Sequence, residues 1–241
     1  MKLITALTLF ALIVFSSCNY IGGKRVRGNG NVISQNRTVE HFNAVDVGGA
    51  IDVYLKQDSS RSVRVEVDEN LQELIEVYEQ NGVLHIEPKN NYNLDPSNDK
   101  VKVFVSAPQF HALGVSGAST LTSENRIITT EALDIDISGA SNVKLDVKAP
   151  RIEAEASGAS EVWISGETKD FNVGGSGAST IKCFDLMAEN TSVDVSGASS
   201  AQVFASVKLD ANASGASGIK YRGAATVSQD ISGASSISKA D

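Results

Sequence analysis

The stretch Phe171-Asn172-Val173-Gly174-Gly175-Ser176-Gly177-Ala178-Ser179-Thr180-Ile181-Lys182 contains one copy of the tetrapeptide that decides the fold. Ser-Gly-Ala-Ser recurs from Ser116, Ser138, Ser157, Ser176, Ser196, Ser214 and Ser232, with successive copies 22, 19, 19, 20, 18 and 18 residues apart. A period of this size belongs to stacked-repeat architectures, where each unit buries its apolar face only against its neighbours.

Counting from the Gly of each copy shows what the repeat does. Four positions before it stand Leu113, Ile135, Ala154, Val173, Val193, Ala211 and Gln229. Two before it are Val115, Ile137, Ala156, Gly175, Val195, Ala213 and Ile231, and four after it Leu121, Val143, Val162, Ile181, Ala201, Ile219 and Ile237. Nearly all are apolar, and the alternation has period two on both sides of the tetrapeptide. Each copy therefore reads as strand, corner, strand, with alternate side chains entering a shared core. A unit this short cannot hold a βαβ crossover, which takes about 30 residues. It does fit one coil of a parallel β-helix, stacked on the next at about 4.8 Å, so that seven coils make a rod of roughly 34 Å. Gly at the corner accepts backbone angles denied to other residues and allows close stacking. The flanking Ser hydroxyls can satisfy the turn or ladder with their equivalents above and below.

The pattern extends toward the N-terminus. In Val45-Asp-Val-Gly-Gly-Ala-Ile-Asp-Val-Tyr-Leu55, Gly49 takes the place of the repeat Gly, which makes this segment a degenerate first copy. Between it and Ser116 the apolar runs 63–67, 75–78, 83–86 and 101–105 read as wider, less regular coils, with an Asn81-Gly82 hairpin turn and a short helical turn near residues 71–75. Residues 92–100, rich in Asn and Asp, are expected to form an exposed loop.

At the N-terminus, Met1-Lys2 precedes an apolar run over residues 3–15 and then Ser16-Ser17-Cys18. The run is too short to span a bilayer but suits a signal-peptide core. Small residues before Cys18 resemble a bacterial lipobox, so Cys18 is the expected site of lipidation. The expected organisation is a signal peptide over 1–17, a lipidated Cys and flexible tether over 18–28, and one solenoid domain over 29–241. Within that domain, 29–112 form the irregular coils and 113–241 the regular ones. Cys183 falls in an apolar column and reads as a buried hydrophobe.

The entry at residues 45–53 and the repeated Ser-Gly-Ala-Ser corners, behind a lipoprotein-like N-terminus, resemble the bacterial DUF2807 family, the "putative auto-transporter adhesin, head GIN domain". The resemblance covers about residues 29–241. It implies an all-β fold, a single-stranded right-handed parallel β-helix (β-solenoid), with no established biochemical activity.

A formal net charge of −8, from 21 Lys and Arg against 29 Asp and Glu, offers no basic field for nucleic acid. The repeated serines lack the base and orienting partner that a nucleophile needs, since His41, His85 and His111 all precede the second copy. No Cys or His spacing suggests a metal, and no cofactor is expected. Two outward columns are more informative. Three positions before the repeat Gly, Asp136 and Glu155 should lie one strand spacing apart and repel, which makes them weak cation candidates. Five and seven positions after it, Trp163, Phe184 and Phe204, bordered by Lys144 and Lys182, form a candidate binding surface for a glycan or a protein, unless a corner turns Phe184 and Phe204 into the core.

The expected function is a non-enzymatic envelope lipoprotein, attached to the outer membrane by its N-terminal lipid and presenting a rigid surface for adhesion. A carbohydrate-active β-helix enzyme, using outward Asp or Glu, is the alternative. An inert scaffold is the third reading. The last copy leaves a coil edge open, which points to end-to-end self-association or a partner cap.

Overall fold

In the regular part of the chain a strand enters each tetrapeptide and a second strand leaves it, because the corner Gly turns the backbone where no side chain fits. The seven tetrapeptide glycines and Gly49 all take positive φ, between 72° and 92°. At Gly177 an added Cβ would lie 2.7 Å from the Gly158 carbonyl oxygen of the preceding coil. That oxygen instead accepts a hydrogen bond from the Ala178 amide at 2.7 Å, and the same bond recurs at each corner. Left-handed backbone and close approach together leave Gly as the residue that fits.

Stacked in this way, residues 23–240, which the computed structural model describes, form a β-solenoid of about 6 turns. One side is a parallel sheet in which Ala112–Val115, Leu133–Ile137, the end of Asn142–Ala156, the end of Glu161–Gly175, Leu186–Val195, Lys208–Ala213 and Thr226–Ile231 succeed one another. The side after the corner carries Thr120–Ser123, the starts of the two long strands, Thr180–Cys183, Ser200–Phe204, Gly218–Arg222 and Ser236–Lys239. The two 15-residue strands continue round the coil onto a third side. All pairings between these coils are parallel, with equivalent columns in register, as the alternation requires.

The apolar columns fill one continuous core from Phe42 to Ile219. The second Ser of each tetrapeptide also faces inward: Ser119, Ser141, Ser160, Ser179, Ser199 and Ser217 are buried. A buried hydroxyl without a partner is costly, and most of these find one. Ser160 Oγ donates to the Ser157 carbonyl at 2.7 Å, and the Ser179 hydroxyl donates to that of Ser199 at 3.2 Å. Toward the C-terminus the burial fades: Gln229 is exposed and Ile231 is 43% exposed.

The N-terminal part departs from the expected series of coils in three ways. First, Gly49 does not mark the outermost coil. Strands Val83–Pro88 and Val101–Ala107, later in sequence, pair in parallel with Ala44–Val47 and Ile51–Gln57 on the side away from the repeats. The Gly49 coil is thus held between them and Ala112–Val115. Second, Val32–Arg37, Ser62–Asp68 and Ile75–Gln80 are antiparallel additions rather than irregular coils. They join a 3-10 helix, Glu69–Leu74, that inserts Leu71 into the end of the core. The Asn81-Gly82 turn between Ile75–Gln80 and Val83–Pro88 is formed as expected, with φ of 56° and 81°. Third, Lys24–Arg27 is a strand that pairs in parallel with Tyr92–Asp95. It is not part of a flexible tether, and residues 92–95 are not loop; each supplies the ladder that the other lacks. The signal peptide and Cys18 lie outside the described residues.

Candidate functional site

Two outward rows give the solenoid sides of opposite character. On the sheet after the corner, register places Tyr54, Thr122, Lys144, Trp163, Lys182, Gln202 and Lys220 side by side on successive strands. The row continues beyond Tyr54 to Phe104, which stacks on it with ring centroids 5.1 Å apart, and to Arg64, whose guanidinium lies 4.0 Å from the Phe104 ring centre. Trp163 is 44% exposed. Lys182 Nζ sits 4.1 Å from the Trp163 ring centre and is fixed there by Glu161 Oε1 at 2.6 Å. Lys144 and Lys220 are exposed and make no ion pair among the described residues. A shallow groove of about 310 Å³ runs between Lys144, Trp163 and Lys182, with Asp146 and Asp185 on its wall.

Of the three expected aromatics, only Trp163 lies in this groove. Phe184 and Phe204 do stay outside the core, each half-buried beside an inward neighbour, Cys183 and Val203. Arg222 lies over the Phe184 ring at 4.3 Å. Phe204 instead lines a second, larger groove of about 570 Å³ on the third side, with Ile128, Pro150 and Met187. Ile128 and Met187 are 53% and 46% exposed, and Val207 nearby is 57% exposed. Sequence reasoning missed this groove. Its residues sit where the coil lengths differ, outside the columns that the tetrapeptide aligns; an apolar residue at an outward position of a two-residue alternation was the only available signal.

The sheet before the corner is acidic. Asp46, Gly114, Asp136, Glu155, Gly174, Asp194, Asn212 and Asp230 form its row. Asp136 and Glu155 are neighbours as expected. Burial, together with the charges of Asp136 and Asp194, pushes the Glu155 carboxyl above the usual glutamate range. The two glycines give the carboxylates room: a Cβ on Gly174 would strike Glu155 Oε2, and one on Gly114 would come 2.7 Å from Asp46 Oδ1. Among the described residues, no group of three or more His, Cys, Asp and Glu side chains is placed to hold a metal ion.

Ser116 and Ser157 donate to the Val47 and Ile137 carbonyls of the coil before, and His85 Nδ1 faces Asp46 at 3.2 Å while its ring stacks on Tyr78. These arrangements are structural. Cys183 is fully buried, and burial pushes its thiol up to about 12, so it is not a thiolate at neutral pH. No described helix is long and apolar enough to cross a membrane.

Residues 41–225 match the model of the DUF2807 family, described as "putative auto-transporter adhesin, head GIN domain". No curated protein matches the chain. Among solved structures, a "putative adhesin" from Bacteroides fragilis superposes with a TM-score of 0.83 at 21% identity, covering 89% of this chain and all of its own. A "putative lipid binding protein" from Parabacteroides distasonis gives 0.74 at 22% identity, over 90% of this chain and 100% of that one. A second Parabacteroides distasonis protein, also a "putative adhesin", gives 0.71 at 24% identity with the same coverage. At these identities the likeness is one of fold.

Proposed function

The chain belongs to the DUF2807 family, and from that premise we propose that it is a non-enzymatic envelope lipoprotein whose solenoid presents a fixed surface for adhesion to a glycan or protein. The observation that carries this reading is the exposed Trp163 held between Lys144 and Lys182 on a parallel sheet. An indole that is 44% exposed and whose neighbours are fixed by strand register is preorganised for contact, so little side-chain entropy is lost on binding. Acylation at Cys18 would attach the rod to the outer membrane. Among the described residues Thr226–Ile231 and Ser236–Lys239 are each paired on one side only, and this edge, with Ile231 exposed, is the surface proposed for end-to-end self-association.

A glycan array combined with pull-down from envelope extract tests the reading. Binding without turnover supports adhesion; release of a cleaved product would replace it with the carbohydrate-active enzyme; silence in both would leave an inert scaffold. Globomycin-sensitive processing and palmitate labelling that disappears in Cys18→Ala would test the anchor.

A further inference from the structure

We propose that the row containing Trp163 is a track for an anionic polysaccharide lying along the solenoid axis, with a charged group on alternate sugars; this rests on the adhesion reading and specifies its ligand. Residue spacing and charge sign point to this ligand. Strand register puts Lys144, Lys182 and Lys220 on alternate coils of the same outward row, with Trp163 and Gln202 between them. At about 4.8 Å per strand, successive lysines recur about every 10 Å. That is comparable to the length of one disaccharide in an extended polysaccharide, so carboxylates on alternate repeat units would meet the unpaired Lys144 and Lys220, about 19 Å apart, with Lys182, already paired with Glu161, between them. Between two lysines the exposed indole offers an apolar surface to a sugar ring, and Asp146 and Asp185 on the groove wall can accept hydrogen bonds from hydroxyls. Farther along the same row, Arg64 lies over Phe104, which stacks on Tyr54, and is itself paired with Glu66 at 3.3 Å, so this end offers aromatic surface more than free charge. From Arg64 to Lys220 the row crosses eight strand spacings, about 38 Å of track.

Charge decides which side such a chain would meet. The sheet before the corner presents Asp46, Asp136, Glu155, Asp194 and Asp230 in one row, which repels a polyanion. On the track itself, Glu161 is paired with Lys182 and Asp146 with Arg126 at 3.0 Å, which leaves Asp185 as the one groove carboxylate with no ion pair among the described residues. Lys144 and Lys220 thus keep their charge available for a ligand.

The test is surface plasmon resonance of the full chain over immobilised hyaluronan, which carries one carboxylate per disaccharide, with dextran as the neutral surface, at low and at raised salt. Expected are binding to hyaluronan that falls as salt rises, little binding to dextran, and a loss of about tenfold in affinity for Lys144→Gln/Lys220→Gln. Trp163→Ala should weaken binding by a similar factor, while Lys208→Gln on the acidic side should leave it unchanged. Each variant alters an outward side chain, and an unchanged melting temperature checks that its fold is intact. Equal binding to dextran, insensitivity to salt, or full affinity in the double lysine variant would overturn the track. If hyaluronan fails but an envelope protein or neutral glycan binds, the track is wrong and the adhesion reading stands; if nothing binds, both fall.

Discussion

In the coils between Ala112 and Lys239, layers are joined by backbone: the amides of Ala140, Ala159, Ala178, Ala198, Ala216 and Ala234 each donate to the corner Gly carbonyl of the previous coil, at 2.7–2.8 Å. At the N-terminal end individually placed side chains supplement the strand ladders. Asp68 is fully buried and accepts hydrogen bonds from the Gly30 amide at 2.7 Å and from the Ser97 hydroxyl and amide at 2.6 and 2.9 Å, so that one carboxylate ties three segments. Beside it the Gln72 side chain donates to the Ile33 and Val65 carbonyls, and the Arg37 guanidinium donates to Gln72. A periodic region can repeat one backbone solution, whereas an end meets its neighbours once and needs individually placed polar groups, so the end loses stability in acid through Asp68 while Glu155 in the coils responds with the opposite sign.

A corner substitution should be the most damaging. Gly177→Ala places a Cβ at positive φ and 2.7 Å from a backbone oxygen, so a loss of about 3 kcal/mol is expected, read as a fall in urea midpoint. Gly30→Ala in the cap also sits at positive φ, 83°, but with nothing within 4 Å, and should cost only the conformational part, about 1 kcal/mol. If both substitutions cost the same, coil stacking is not what requires the corner Gly.

Asp68→Asn comes next, with an expected loss of about 2 kcal/mol, because an amide cannot accept from all of these donors. Burial alone would raise the Asp68 carboxyl, but the bonds from Ser97 and Gly30 outweigh it and hold the group below the usual aspartate range. The unfolded chain therefore takes up this proton more readily than the folded one. The contribution of Asp68 is complete above the ordinary aspartate value and is lost as pH falls through the lowered folded value. Acid titration followed by amide exchange should show the cap opening before the coils, and Asp68→Asn should abolish the difference.

Inside the coils the serines separate a satisfied hydroxyl from an idle one. Ser199→Ala removes the partner of Ser179 and should cost about 1 kcal/mol. Ser141 Oγ is buried without a hydrogen-bond partner, so Ser141→Ala should leave the melting temperature unchanged or raise it. The smallest effect belongs to the acidic row. The raised carboxyl of Glu155 means that its charge opposes folding above that raised value, and that the opposition fades as pH falls toward the ordinary glutamate value. Glu155→Gln should therefore raise the melting temperature slightly at neutral pH and change nothing once the carboxyl is protonated.

Much of the regular region was legible because its signals are local and repeated. Leu113, Ile135, Ala154, Val173 and Val193 are buried as their column demands, and the glycine of each tetrapeptide adopts the backbone that its residue type allows. The side-by-side placement of Lys144, Trp163 and Lys182 followed from the same count. Phe204 was harder: its column is correct and it lies outside the core, but it faces a groove on the third side, because the chain bends at the end of Ser200–Phe204. No residue spacing reports where a coil turns a corner that carries no tetrapeptide.

The sequence by itself determined the repeat, the inward and outward faces of its strands, and the sign of each outward row, since a two-residue alternation and a nearly fixed period convert position directly into direction. Tertiary structure alone decided that Val83–Pro88 and Val101–Ala107 stack outside the earlier Gly49 coil, that Lys24–Arg27 finds Tyr92–Asp95, and that Asp68 closes the end. Those pairings join segments far apart in sequence that do not repeat. They are selected by which edges remain unpaired once the coils have stacked, a property of the assembled sheet rather than of any stretch of chain.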